Sequence, residues 1–264
     1  MIVVGGIVLS SSAHTTHNTH TRHMKILGID NNAKTVKGLK KKITTAIIYL
    51  APSDASGLIN TCTSASKGCR SACLFTAGRG RMNPIREARI NKTRFLVNEE
   101  ETFLRQLWKE IESHERRAKK KNLLPCVRLN GTSDLRWEDY TLDGVNVFDS
   151  FPSVQFYDYT KHLQRAVAFA NGKLPRNYHL TFSKSENTSD NTVRDLLKRG
   201  VNVAVVYWNE LPKEDFGGFR VINGDENDAR FRDPLGVVVG LKYKASSGET
   251  ALVQKFVRQL EPLF

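Results

Sequence analysis

Short apolar runs alternate with longer amphipathic segments along the chain from residue 24 onward. The runs are five to eight residues long and rich in Val, Ile, Leu, Phe and Tyr, which is typical of buried strands. The six predicted strands cover residues 44–50, 123–130, 154–159, 178–182, 201–207 and 237–241.

Helical spacing of apolar residues fills the long interval between the first two strands. Pro84 suits the first turn of a helix that continues over residues 85–97. A longer amphipathic helix is predicted over residues 100–121. Its apolar face consists of Phe103, Leu104, Leu107, Trp108 and Ile111.

A further helix is predicted over residues 191–199, with Asp190 as its N-cap and Gly200 as its stop. Strands that alternate with helices favour parallel βαβ units with right-handed crossovers. The sequence therefore predicts one α/β domain over residues 24–264. We expect a barrel-like sheet or a partial (β/α) barrel with mostly parallel strands, with an open sheet as the alternative.

Residues 1–23 have a different composition, rich in Ser, Thr and His and without a lasting period. Histidines recur there at every third position, namely His14, His17, His20 and His23. We interpret the segment as a disordered N-terminal extension produced by an upstream start codon, because Met24 opens the patterned part. A metal-binding histidine tract is the alternative.

Polar residues follow the predicted strands at their carboxyl ends, where α/β folds carry their active sites. These residues are Asn130, Thr132, Asp134, Asp158, Tyr159, Ser183, Ser185, Glu186, Trp208 and Asn209. We expect catalytic roles for Asp134, Asp158 and Glu186. Asn130 and Ser183 are expected to contact a bound cofactor or small-molecule ligand. Ordinary helix caps and turns are the alternative interpretation.

Three cysteines, Cys62, Cys69 and Cys73, follow the first strand with the spacing C-x6-C-x3-C. A thiolate cluster in one loop is what an iron–sulfur cluster or a soft metal requires. The spacing matches no standard zinc finger, so a 4Fe-4S cluster is favoured over zinc, a redox pair or inert thiols. Cys126 lies within a predicted strand and is interpreted as a buried apolar thiol.

Two further segments suggest ligand chemistry. Gly78, Arg79 and Gly80 follow the cysteines, and their amide and guanidinium groups suit a phosphate or carboxylate. A flexible turn is the alternative. Acidic residues within 224–228 suit magnesium, although an Asx-rich turn is the favoured interpretation.

The chain of 264 residues carries 40 Lys and Arg against 27 Asp and Glu, a formal charge of +13. Such a surplus favours polyanions, and the densest basic run lies at residues 116–121. A nucleic-acid-binding protein with a structural metal is therefore the alternative to an enzyme. No apolar run is long enough to span a membrane, and the clustered cysteines indicate a reducing cytoplasm.

Several blocks of sequence resemble the bacteriophage "gene product 88" family. They are residues 30–38, 49–52, the cysteine loop with 78–80, 88–94, 127–134, 155–161 and 224–226. The resemblance runs from about residue 24 to residue 244. It implies a phage or prophage origin and hence the cytoplasm of a bacterial host, and the family carries no assigned biochemical function.

The cysteine loop is also distantly similar to the cluster loop of radical-SAM enzymes, which follows the first barrel strand. That likeness implies a 4Fe-4S cluster whose open iron binds S-adenosylmethionine. The usual spacing of that loop is C-x3-C-x2-C, from which this chain departs. The expected function is thus a phage iron–sulfur protein, with a radical-SAM-like enzyme as its most specific form.

Overall fold

The structure is a computed structural model that describes residues 24–248 and 250–259. Its strands are β1 Leu27–Ile29, β2 Ile43–Ile48, β3 Leu124–Arg128, β4 Thr141–Leu142, β5 Val145–Asn146, β6 Gln155–Thr160, β7 Tyr178–Ser183, β8 Val203–Tyr207, β9 Glu214–Asp215, β10 Phe219–Asn223 and β11 Val238–Lys242. The predicted extension over residues 1–23 lies outside the described residues.

The α-helices alternate with these strands. They are α1 Ala33–Leu39, α2 Lys67–Ser71, α3 Asn83–Asn98, α4 Glu100–Lys120, α5 Val147–Ser150, α6 Leu163–Ala170, α7 Asp190–Lys198 and α8 Thr250–Phe256. Four 3-10 helices lie between them, at Leu74–Thr76, Gly78–Arg81, Trp137–Asp139 and Arg230–Arg232. Within the described part of the chain, no helix combines the length and apolar character that crossing a bilayer requires.

Nine strands form one sheet in the order β1-β2-β3-β6-β7-β8-β11-β10-β9. From β2 to β11, neighbours are parallel and follow one another in chain order. β1 and β9 are antiparallel additions at the two edges. The prediction of an α/β fold with mostly parallel strands is confirmed. The sheet is open, since no pairing in the described residues joins its edges.

The six predicted strands are the central parallel ones, and each matches the structure to within two residues at nearly every end. All six residues of β2 are buried, which explains the continuous apolar run that marks it in the sequence. The strands that the sequence did not reveal are the short β1, β4, β5 and β9, together with β10, whose side chains are mostly exposed or half-buried.

The helices α4, α6 and α7 pack on one face of the sheet. The predicted apolar stripe of α4 buries Phe103, Leu104, Leu107 and Ile111 against the core. Helix α7 differs from the prediction at its start, because the N-cap is Ser189, whose hydroxyl accepts the N–H of Thr192 at 3.1 Å. Asp190 is instead the first helical residue, and Gly200 follows with φ of 81°, as expected of a helix stop.

The other face of the sheet is partly covered by the segment that contains the 3-10 helix Arg230–Arg232. Phe231 packs on Tyr157 of β6 with ring centroids 5.4 Å apart. Arg128 of β3 donates to Asp228 at 2.9 Å, and the hydroxyl of Tyr157 contacts the same carboxylate at 3.2 Å. This face therefore holds paired charges. The helix face is mostly apolar, although Asp158 and Arg165 are also buried there.

Candidate metal centre

The cysteine loop leaves the carboxyl end of β2 and passes through α2. Ser66 caps α2, and its hydroxyl accepts the N–H of Cys69 at 3.1 Å. Cys73 caps the 3-10 helix that follows, and its Sγ accepts the N–H of Phe75 at 3.4 Å. Local capping therefore fixes the backbone on either side of Cys69 and Cys73.

Cys62 lies earlier in the loop, beside the segment that follows β3. Its N–H donates to Oδ1 of Asn60 at 2.9 Å, and its Sγ lies 3.7 Å from the carbonyl oxygen of Thr132. The N–H of Asp134 donates to the carbonyl of Thr61 at 2.8 Å. Two loops at the carboxyl edge of the sheet are thus joined at Cys62.

The three thiols influence one another's charge. Each is half-buried, and burial is the largest cause that raises the pKa of each one. The pKa of Cys73 is raised to about 11, with Cys69 and Cys62 adding to the effect of burial. Without a compensating cation these cysteines are protonated at neutral pH, so a bound metal would supply the charge that thiolates need.

Two protein cations already lie beside the thiols. Lys161 opposes the effect of burial on the pKa of Cys69, and Arg89 does so for Cys73. The guanidinium of Arg89 stands over the rings of Tyr49 and Phe75, 5.1 and 5.7 Å from their centroids. Its buried Nε and Nη1 have no hydrogen-bond partner among the described residues. An anionic centre at the cysteines would meet this unpaired positive charge.

Glu186, predicted to be catalytic, lies beside the cysteine loop and holds it through hydrogen bonds. Its carboxylate accepts the hydroxyl of Ser66 at 2.6 Å and the N–H of Gly68 at 2.8 Å. Burial acts to raise the pKa of Glu186, but these hydrogen bonds outweigh it and lower the pKa. The ionised carboxylate therefore holds the first turn of α2 in place.

Asp134, the second predicted catalytic residue, also lies near the thiols. Its carboxylate accepts the N–H of Lys161 at 2.7 Å and pairs with Arg165 at 3.1 Å. Its negative charge contributes to raising the pKa of both Cys62 and Cys69. Asp134 thus joins the loops after β3 and β6 beneath the cysteines.

Asp158, the third predicted catalytic residue, does not lie at the edge of the sheet. Strand β6 continues to Thr160, so Asp158 falls inside the strand and its side chain is directed to the helix-packed face. It accepts the N–H of Asn130 at 2.9 Å and the hydroxyl of Tyr178 at 3.2 Å. Complete burial raises its pKa to about 7.

The two residues predicted to contact a ligand have internal partners. The side-chain oxygen of Asn130 accepts from Ser133, Leu135 and Trp137, which closes the loop after β3. The hydroxyl of Ser183 receives the ammonium of Lys161 at 2.9 Å. Lys161 therefore ties the loops that follow β6 and β7 together.

The glycine pair after the cysteines serves packing. A Cβ on Gly80 would lie 2.2 Å from the carbonyl oxygen of Leu74 and 2.8 Å from that of Phe75. Gly78 has a φ of 49° and opens the 3-10 helix in which Arg79 is exposed. The backbone of Gly80 lies so close to the turn after Cys73 that a side chain would not fit, which explains why this residue is glycine.

The acidic segment near residue 225 is occupied by protein cations. Asp225 pairs with Lys34 at 2.9 Å and with Lys244 at 3.5 Å. Asp228 pairs with Arg128 at 2.9 Å. These ion pairs agree with the interpretation of the segment as a structural, Asx-rich turn.

Lys161 and His162 belong to the site, although the sequence reasoning passed over them. The ring of His162 contacts the hydroxyls of Ser64 at 2.8 Å and Thr63 at 3.2 Å. Lys161 lies 5.0 Å from the ring centroid of Phe256 in α8, which packs on α2. Both residues directly follow β6, which ends at Thr160, one residue later than predicted. A prediction with the correct strand end would have placed both at the carboxyl edge of the sheet.

No group of three or more His, Cys, Asp and Glu side chains in residues 24–248 and 250–259 converges closely enough to hold one metal ion. A tetrahedral zinc ion with bonds of about 2.3 Å requires sulfurs about 3.8 Å apart. Cluster ligands bind separate iron atoms, so they do not converge on one point.

The fold and the site define an α/β protein with an open, mostly parallel sheet and a three-cysteine loop at its carboxyl edge. The model of the family described as "Gene product 88" matches residues 24–255, and the chain belongs to this family. No curated protein and no solved structure matches the chain. The likeness of its loop to the radical-SAM cluster loop stays a prediction.

Proposed function

We propose that this chain binds an iron–sulfur cluster through Cys62, Cys69 and Cys73 at the carboxyl edge of its sheet. The observation that carries the proposal is the set of three thiols, drawn from one loop, that lie within electrostatic range of one another. A cluster of this kind is held by cysteine thiolates.

The charges around the loop support an anionic centre. Arg89 has buried donors without a partner in the described part of the chain, and Lys161 acts on Cys69. Positive charge near a cluster stabilises the thiolates and raises its reduction potential. The carboxylates of Glu186 and Asp134 accept hydrogen bonds from the surrounding loops. Their role in this proposal is to hold the loops around the cysteine ligands.

The spacing of the thiols favours a cluster over a single zinc ion. Their C-x6-C-x3-C spacing in the sequence matches no standard zinc finger. Cys126 is fully buried in β3, packs with Ile43 and Tyr157, and is not a fourth ligand. Three protein ligands would leave one iron of a 4Fe-4S cluster open to a small molecule.

S-adenosylmethionine is the small molecule that we propose for the open iron, which would make the chain a radical-SAM-like enzyme. The support is the position of the cysteine loop after the first of six parallel strands that follow one another in chain order. The carboxyl edge of such strands is where α/β enzymes bind their ligands.

Anaerobic reconstitution with iron and sulfide, followed by iron and sulfide analysis, tests cluster binding. We expect about four irons per chain for a 4Fe-4S cluster and strong visible absorbance. Cys62→Ala, Cys69→Ala and Cys73→Ala should each lose most of the iron. Cys126→Ala is the matched control and should keep it.

Elemental analysis of protein purified without oxygen separates the outcomes. Zinc in place of iron, or iron loss in Cys126→Ala equal to that in the other three variants, would overturn the cluster proposal. Titration of the reconstituted protein with S-adenosylmethionine, followed by the electron paramagnetic resonance of the reduced cluster, tests the finer proposal. An unchanged spectrum at saturating ligand would reject it.

A further inference from the structure

Exposed cations gather at the amino edge of the sheet, opposite the cysteine loop. Four of the helix-to-strand connections that reach this edge carry them, namely α1–β2, α4–β3, α6–β7 and α7–β8. Their exposed cations, here called the basic rim, are Lys40, Lys41, Lys42, Lys119, Lys120, Lys121, Lys173, Arg176, Lys198 and Arg199. In the sequence these residues form four separate groups, and only the sheet order makes them neighbours.

The first two groups lie beside the amino ends of two adjacent strands, β2 and β3. The N–H of Leu124 donates to the carbonyl of Lys42 at 2.8 Å, and Ile43 is in register with Leu124. The guanidinium of Arg232 donates to the carbonyl of Lys41 at 3.2 Å and adds a further exposed cation. The two lysine triplets therefore lie side by side.

Little of this charge is neutralised by the protein. Among the described residues, ion pairs within the basic rim join Lys119 to Glu115 at 2.6 Å and Arg199 to Asp195 at 2.9 Å. The other eight rim residues have no ion pair in the described part of the chain. Asp233 lies near Lys41 but pairs with Arg230 at 3.1 Å.

The dimensions of the basic rim suit a phosphate backbone. Four strand-to-strand steps separate β2 from β8, which at about 4.8 Å each gives a span of about 19 Å. A nucleic-acid strand rises about 3.4 Å per phosphate, so roughly five or six phosphates fit along that span. Cations grouped at both ends of this length can contact several phosphates of one polyanion.

The surface chemistry distinguishes between polyanions. No aromatic side chain is among the large hydrophobic groups exposed in residues 24–248 and 250–259. Single-strand binding relies on aromatic stacking, for which these residues offer no exposed ring. A duplex is recognised through its phosphate backbone without such stacking. We propose that the basic rim binds the phosphate backbone of duplex nucleic acid.

The proposal stands apart from the cluster proposal, because the two surfaces lie at opposite ends of the strands. Fluorescence anisotropy with a labelled 20-base-pair duplex, titrated at several salt concentrations, provides the test. Contact with four phosphates would give a slope of log K against log salt of about −3.6. The Lys41→Gln/Lys120→Gln variant should bind at least tenfold more weakly, with a slope smaller by about 1.8.

The matched control is Lys67→Gln/Lys255→Gln, which removes the same charge from exposed positions in α2 and α8, at the carboxyl edge of the sheet. It should bind like the unmodified protein, and circular dichroism checks that both variants fold. Cys62→Ala should also bind duplex normally, which separates this test from the cluster proposal.

Three results would overturn the proposal. They are an absence of duplex binding at low salt, equal losses in the rim and control variants, and binding to phosphatidylserine vesicles without binding to duplex. Tighter binding to a single-stranded 20-mer than to the duplex would reassign the rim to a different ligand and likewise reject it.

Discussion

Lys34, at the start of α1, forms an ion pair of 2.9 Å with Asp225, which follows β10. Helix α1 packs on β2, and six strand-to-strand steps separate β2 from β10. In a flat sheet those six steps would span about 29 Å, far beyond the reach of a lysine. The sheet therefore curls enough to bring α1 close to the end of β10, although its edges are not joined in the described residues.

Replacing Asp225 with Asn tests the contribution of this contact. Burial acts to raise the pKa of Asp225, but hydrogen bonds from the Lys242 N–H and from Lys34 lower it overall. Burial lowers the pKa of Lys34 although Asp225 opposes it, so the carboxylate is the better-stabilised partner. We expect Asp225→Asn to lower the free energy of unfolding by about 1–2 kcal/mol at neutral pH.

The pH dependence gives the check. A lowered acid pKa stabilises the folded state above the unfolded pKa of about 3.9 and loses that effect as pH falls through the folded value. Urea unfolding should show a difference between the two proteins at pH 7 that shrinks as the pH falls below the unfolded pKa of about 3.9. A constant difference at all pH values would contradict this account.

Asp158 should have the opposite effect on how stability changes with pH. Complete burial raises its pKa to about 7, so the folded state binds a proton that the unfolded state releases between about pH 4 and pH 7. Its contribution to stability is present below the unfolded pKa and declines as pH rises toward 7. Asp158→Asn should flatten that decline in thermal unfolding, whereas the exposed Asp149→Asn should leave the profile unchanged.

The Glu186→Gln variant tests whether Glu186 holds the cysteine loop in place or acts as a catalytic acid. The amide loses the ionised acceptor that holds Ser66 and the N–H of Gly68, so the cysteine loop should loosen. We expect iron retention to fall about 10- to 100-fold in a chelator competition, as for other residues that orient metal ligands. Glu210→Gln, exposed after β8, is the control. Full retention in Glu186→Gln would show that the brace is dispensable.

Gly80→Ala tests the close packing behind Cys73. The added Cβ would meet backbone oxygens of Leu74 and Phe75, which cannot move aside as a side-chain end can. We expect a loss of about 2–3 kcal/mol in chemical unfolding. Gly38→Ala in α1 is the control, since its nearest neighbour would be 3.5 Å away and alanine favours the helix. Similar stability of the two variants would remove the packing explanation.

Much of the fold was readable from the sequence because buried parallel strands are continuous apolar runs. β2 and β8 illustrate this, because nearly all of their residues are buried. Short edge strands such as β9 bury too little to leave such a signal. The candidate site was harder. Asp158 lies inside both the predicted strand and β6, whereas Lys161, which follows the end of β6, is the residue at the edge.

The sequence by itself determined the alternation of elements, the family and the grouping of three cysteines, because these are local patterns carried by neighbouring residues. Only the tertiary structure decided that Lys34 reaches Asp225, that Glu186 braces the cysteine loop, and that separate lysine groups form one rim. These relationships depend on strand order and on the direction of each side chain, which hydrogen bonding between distant segments fixes.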